Sequence, residues 1–137
     1  MGLAELSIYL DSCLAIYLVE ENISFVAKLE KALAANSDAK FCISALTEME
    51  CLIMPLRRQN KLLLAKFENW FHTVEILPME REVFRNAAQL RADFSSLKTP
   101  DALHLATALH HNCDEFWTND NRLNSVAPSL VKNVLIT

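Results

Sequence analysis

Glycine is almost missing: the 137 residues contain one, Gly2. A Walker A loop and a G-x-G-x-x-G turn both need internal glycines where the backbone closes on a phosphate, so nucleotide cofactors held by such loops are excluded. Long apolar runs are missing too. None reaches the roughly 18 residues of a membrane span, so a soluble protein with no membrane partner is expected. No basic stretch precedes an apolar segment at the start, and Gly2 is followed by no Ser or Thr at the myristoylation spacing, so neither secretion nor acylation is read. The cysteines Cys13, Cys42, Cys51 and Cys113 form no C-x-x-C pair and sit beside apolar neighbours, which fits buried free thiols in a reducing cytoplasm. Positive charge is also short: 13 Lys and Arg against 17 Asp and Glu leave a net charge of -4. A broad basic surface for nucleic acid is thereby excluded. A nuclease is not, because a few carboxylates gathered to hold cations inflate the acidic count, and the cations reverse the local sign.

What is present is a core. A chain of this length with 52% hydrophobic residues is expected to fold as one domain over residues 1–137, burying roughly two thirds of its unfolded surface. Strands are expected at Leu6–Leu10, Lys40–Ile43, Val74–Leu77, Glu115–Thr118 and Asn133–Ile136. Helical segments are expected at Cys13–Val19, Ser24–Ala35, Ala45–Leu56, Asn60–His72 and Glu80–Phe94, and in a stretch that opens at Thr99-Pro100. Phe25, Leu29, Ala32 and Leu33 make one buried helix face, and Val83, Phe84, Ala87 and Leu90 another. Strands alternating with helices along the whole chain predict an α/β fold, a short parallel sheet covered on both sides.

Four acids stand at positions that such a fold brings toward one sheet edge. Asp11 ends the first strand. Asp120 follows Glu115-Phe-Trp-Thr118, and strand carboxyl ends are where open parallel sheets bind ligands. Asp101 falls in the first turn of a helix that Thr99 can cap and Pro100 can open, where the helix dipole favours an anion. The helix after Ser44 carries both Glu48 and Glu50. At about 100° per residue, Leu46, Met49, Ile53 and Leu56 form one apolar face, with Glu50 about 40° from Leu46 and Glu48 about 200° away. Glu50 is therefore expected to point inward and Glu48 to water. An inward carboxylate needs a cation or hydrogen-bonding partners, and Arg57 on nearly the same face is the ordinary alternative. Pro55 is expected to kink or end this helix.

Four clustered carboxylates cannot all be ionised without help; they raise one another's pKa or recruit a divalent cation. Oxygen-only ligands suit Mg²⁺ or Mn²⁺, which can activate water for phosphodiester hydrolysis. Ser12 and Thr118 can orient a carboxylate or make ordinary turn bonds. His104, one turn after Asp101, can donate to the site or sit as a satisfied core histidine. His110 and His111 complement the dipole at a helix C-terminus, His72 ends another helix, and none is assigned to a metal. Arg57 and Arg122 are read as solvated cations or phosphate contacts.

At these residues the sequence resembles the PIN domain family, and within it the VapC-like ribonuclease toxins. The matching pieces are Tyr9-Leu-Asp11-Ser-Cys-Leu-Ala-Ile16, Ile43-Ser-Ala-Leu-Thr-Glu-Met-Glu50, Pro100-Asp-Ala-Leu-His-Leu-Ala-Thr-Ala-Leu109 and Phe116-Trp-Thr-Asn-Asp-Asn-Arg-Leu123. The resemblance implies a three-layer α/β/α sandwich and an acidic quartet of Asp11, Glu50, Asp101 and Asp120 holding Mg²⁺ or Mn²⁺. It also implies endoribonuclease activity on RNA, a homodimer and a VapB-like antitoxin partner. Cys13 and Glu48 depart from residues common in the family, and neither removes a ligand. A dehalogenase-type phosphatase would need an acid where Cys13 stands, and a response-regulator receiver lacks its acidic pair and late lysine. The alternative of a different class is a catalytically silent PIN-fold scaffold.

Overall fold

The computed structural model describes residues 5–136, so Gly2 lies outside the described residues. Its sheet consists of β1 (Ser7–Leu10), β2 (Lys40–Ser44), β3 (Glu75–Leu77), β4 (Glu115–Trp117) and β5 (Val131–Lys132), in the order β3-β2-β1-β4-β5. Every neighbouring pair is parallel. The helices are α1 (Ser12–Val19), α2 (Val26–Ala35), α3 (Ala45–Arg57), α4 (Lys61–Phe71), α5 (Arg81–Asp93) and α6 (Thr99–His110), with a 3₁₀ turn at Asn121–Ser125.

Side-chain alternation along β1 divides the interior. Tyr9 points into a core it shares with Val83 and Ala87 of α5, with Leu105 of α6 and with Phe116. Ile8 and Leu10 point the other way, toward Leu14 of α1, Leu29 of α2, Phe67 of α4 and Trp117. Successive strand residues face opposite sides of a sheet, so apolar residues at three consecutive positions require a cover on each. The result is the three-layer α/β/α sandwich. Among the described residues, no helix is long and apolar enough to cross a membrane.

Five local expectations are corrected. The buried face of α3 is Thr47, Cys51 and Pro55, while Met49 is 55% exposed, Ile53 41% and Leu56 60%. Hydropathy identifies the greasiest face, but α3 packs against α1 and α4 through its smaller side chains, which allow close approach. Pro55 does not end the helix, which runs on to Arg57. In α5, Phe84 is 50% exposed, because the inward stripe runs through Val83 and Ala87 one step away.

The last strand is Val131–Lys132 rather than Asn133–Ile136. Val131 pairs with Phe116 and Lys132 with Trp117. Asn133 then accepts the Leu135 N–H through Oδ1 at 3.0 Å, and this side-chain turn bends the chain out of the ladder. Finally, α6 starts at Thr99, with Lys98 at the cap position and no side-chain cap bond. The Thr99 hydroxyl instead accepts from Arg91 Nη1 at 2.9 Å, and Arg91 Nε donates to Leu97 O at 3.0 Å. The end of α5 thereby anchors the start of α6.

Candidate active site

From β1 the chain builds outward to β2 and β3, then returns to place β4 on the other side of β1. The crevice between the carboxyl ends of β1 and β4 is thus the switch point of an open parallel sheet. Asp11 sits there, buried. Its Oδ1 accepts from the Ser12 N–H at 2.8 Å, which makes it the cap of α1, and its Oδ2 accepts from the Thr118 hydroxyl at 2.7 Å. Its own N–H donates to Trp117 O at 2.9 Å. The Thr118 oxygen also accepts from the Asp120 N–H at 3.0 Å, so one buried hydroxyl at the end of β4 sets two of the four acids.

Glu50 reaches the same region from α3. Its Oε1 accepts from the Ser12 hydroxyl at 2.6 Å and lies 2.6 Å from His104 Nε2. The alternative partner, Arg57, instead turns its Nη1 to Met54 Sδ at 3.7 Å. Glu48 is half-buried rather than fully solvated. Burial pushes Glu50 up, but the hydrogen bonds from His104 and Ser12 outweigh it and hold the carboxyl below its ordinary range.

His104 is buried in α6 and stands 4.0 Å from Asp11 Oδ1. Its Nδ1 lies 2.7 Å from the Tyr9 hydroxyl, which is also 2.8 Å from Ser44 Oγ. Burial raises the Tyr9 phenol far above its usual value, so it remains a protonated donor. A neutral His104 with its proton on Nε2 satisfies the whole chain: Tyr9 donates to Nδ1, and Nε2–H donates to Glu50. Sequence reading missed Tyr9. The available signal was a tyrosine at a buried strand position, where the hydroxyl must find a partner.

Asp101 and Asp120 line one small cleft with Leu97, Lys98, Arg122 and Leu123. Asp101 is held above the ordinary carboxylate range, first by burial and then by the charges of Asp11 and Asp120. Asp120 goes the other way. Its hydrogen bonds with Arg122, Nη2 to Oδ2 at 2.7 Å and Nε to Oδ1 at 2.9 Å, hold it below that range.

The four acids thus meet around the β1–β4 crevice, but not as a closed cage. Among the described residues, no three of them bring carboxylate oxygens within 4.8 Å of one another; Glu50 is turned onto His104 and Asp120 onto Arg122. Asp11, Glu50, Asp101 and Asp120 could hold a cation. They fit a hard divalent ion: the donors are all oxygen, and Asp101 carries the electrostatic load of two neighbouring acids that such an ion would offset.

Several solved structures share this architecture. VapBC2 of Rickettsia felis, bound to a DNA fragment from its promoter, superposes with a TM-score of 0.76 at 16% identity, over 93% of this chain and 98% of that one. A toxin-antitoxin complex of Klebsiella pneumoniae gives 0.75 at 24% identity, over 93% and 97%. The Mycobacterium tuberculosis toxin VapC20, which cleaves the sarcin-ricin loop, gives 0.72 at 14% identity, over 88% and 95%. At these identities the likeness is one of fold. No curated protein sequence matches the chain. The PIN domain family model matches residues 8–128, a span that runs from β1 past the Asp120 turn and takes in all four acids, and the chain belongs to that family.

Proposed function

We propose that this protein is a divalent-metal-dependent endoribonuclease, the VapC-like toxin of a type II toxin-antitoxin pair, acting in the cytoplasm. The observation that carries the reading is the meeting of three acids at the β1–β4 switch point: Thr118 bonds both Asp11 and the Asp120 backbone, and Asp101 lines one cleft with Asp120. A site that only stabilised the fold would not set Asp101 against two further acids there. Mg²⁺ or Mn²⁺, bound by Asp11, Glu50, Asp101 and Asp120, would supply Lewis-acid stabilisation of the phosphate and a more acidic water.

The chain's own residues do the positioning. Thr118 and the Ser12 N–H aim Asp11, and the chain from Tyr9 through His104 aims Glu50. Lys98 and Arg122 flank the cleft of Asp101 and Asp120 and offer cationic contacts to the RNA backbone. With so few cations at the cleft, recognition rests on RNA shape and unpaired bases. Likeness to VapBC complexes supports an antitoxin partner of VapB type, and a homodimer belongs to the same proposal.

A silent PIN-fold scaffold draws on one observation: Glu50 and Asp120 already have protein partners, His104 and Arg122. The deciding experiment incubates total RNA with wild type and Asp11→Asn in Mg²⁺ or Mn²⁺ and maps new ends by sequencing. Discrete 5′-phosphate ends made only by wild type are expected. Identical end profiles from two folded proteins would make the scaffold reading the better one.

A further inference from the structure

We propose that Glu80, His110 and His111 form a second cation site, suited to Zn²⁺ or a similar transition metal, which clips the open end of the α5–α6 hairpin. Glu80 Oε2 lies 3.2 Å from His110 Nε2 and 3.2 Å from His111 Nε2. All three ligand atoms fall within 4.8 Å of one another. Around a tetrahedral zinc with bonds of roughly 2.0–2.1 Å, neighbouring ligand atoms stand about 3.3 Å apart, which matches both spacings. The imidazole rings meet edge to face, inclined at 80°.

The oxygen between them is the second observation. Glu80 Oε2 is buried and has no hydrogen-bond partner, although two ring nitrogens are within 3.2 Å. A buried carboxylate oxygen left this way is costly. His111 Nε2 also lies 2.8 Å from the Pro78 carbonyl oxygen. In the metal-free protein Nε2–H donates to it, and a bound cation would take the place of that proton. The C-terminal pole of α6 favours positive charge at this spot as well.

Location separates this site from the acidic crevice. Asp101 is in the first turn of α6 and His110 ends it, about 14 Å along the axis at 1.5 Å per residue. Glu80 immediately precedes α5, and residues 94–98 close the hairpin at its other end. A bound cation therefore ties the start of α5 to the end of α6 and stabilises the folded state by mass action.

The test uses the full chain stripped by chelator and titrated with Co²⁺ as an optical probe, followed by Zn²⁺. Wild type is compared with His110→Ala/His111→Ala, with Glu80→Gln, whose near-isosteric side chain preserves folding, and with Asp11→Asn/Asp101→Asn. Intense four-coordinate visible bands at one equivalent, bleached by Zn²⁺, are expected in wild type and the aspartate variant. Binding weakened at least about tenfold is expected in the histidine and Glu80 variants. Bands unchanged in the histidine variant, bands lost only in the aspartate variant, or no bands in wild type would each overturn the proposal.

Discussion

His104 ties Glu50 to Tyr9: its Nε2 stands 2.6 Å from the Glu50 carboxylate and its Nδ1 2.7 Å from the phenol. The imidazole thus transmits the position of the central strand to a carboxylate on α3, a helix from the opposite side of the sheet. His104→Ala breaks that link at both ends. It is expected to cost about 1–3 kcal/mol in a urea titration, the penalty for leaving a buried polar group without its partner. RNA cleavage should fall further than this stability loss accounts for. Unchanged cleavage would remove His104 from the positioning of Glu50.

Much of this arrangement was legible in the sequence. Asp11 and Asp120 could be placed because strand-ending signals are local, and β1 and β4 were correctly read as strands. Asp101 could be placed because Pro100 marks a helix start regardless of tertiary contacts. Glu50 does turn toward Ser12 and His104, but not for the reason its helical face suggested. The face argument counted Met49, Ile53 and Leu56 as buried, whereas α3 rests on Thr47, Cys51 and Pro55. Periodicity measures which face is most apolar, and only packing decides which face is covered. Tyr9–His104–Glu50 was invisible for a different reason: its members are 95 and 54 residues apart, and only the sheet order makes them neighbours.

Asp101 should cost the fold stability at neutral pH. Its folded pKa is raised by burial and by Asp11 and Asp120, so the native state binds its proton more readily than the unfolded chain does. Stability from this group is fully present below the unfolded value and is lost as pH rises through the folded one. Glu50 has the opposite sign: its contribution is present above the ordinary carboxylate pKa and is lost as pH falls through its depressed folded value. Asp101→Asn is therefore expected to melt higher than wild type at pH 7 in chelator, with the gap closing as the pH drops through the carboxylate range. A lower melting temperature in chelator would show that Asp101 is already neutralised by the protein.

Arg122 competes with a cation for Asp120. The guanidinium engages both carboxylate oxygens, at 2.7 and 2.9 Å, and is largely exposed, so the pair is weak and screened. Arg122→Ala should tighten Mn²⁺ binding at the acidic crevice by a few-fold at most, read by calorimetry. The cleavage rate at saturating Mn²⁺ should not rise with it, because Arg122 also offers a backbone contact to RNA. Weaker Mn²⁺ binding in Arg122→Ala would mean that the arginine organises Asp120 for the cation instead of opposing it.

Thr118 is the most economical test of how the crevice is held. Its hydroxyl donates to Asp11 Oδ2 at 2.7 Å and accepts from the Asp120 N–H at 3.0 Å, while the side chain is fully buried. Thr118→Val keeps the shape and removes both bonds. The loss of a hydrogen bond to an ionised group is expected to cost about 1.5–3 kcal/mol. With Oδ2 released and only the Ser12 N–H holding Oδ1, the loosened Asp11 should also raise the Mg²⁺ concentration needed for half-maximal cleavage by about tenfold or more, as loss of an outer partner of a metal-bound carboxylate does. Thr118→Ser restores the hydroxyl without the methyl group. If positioning is the role, it should recover the metal requirement more fully than the stability, because the missing methyl leaves a small cavity against the core. Recovery of stability without recovery of the metal requirement would reduce Thr118 to a structural residue.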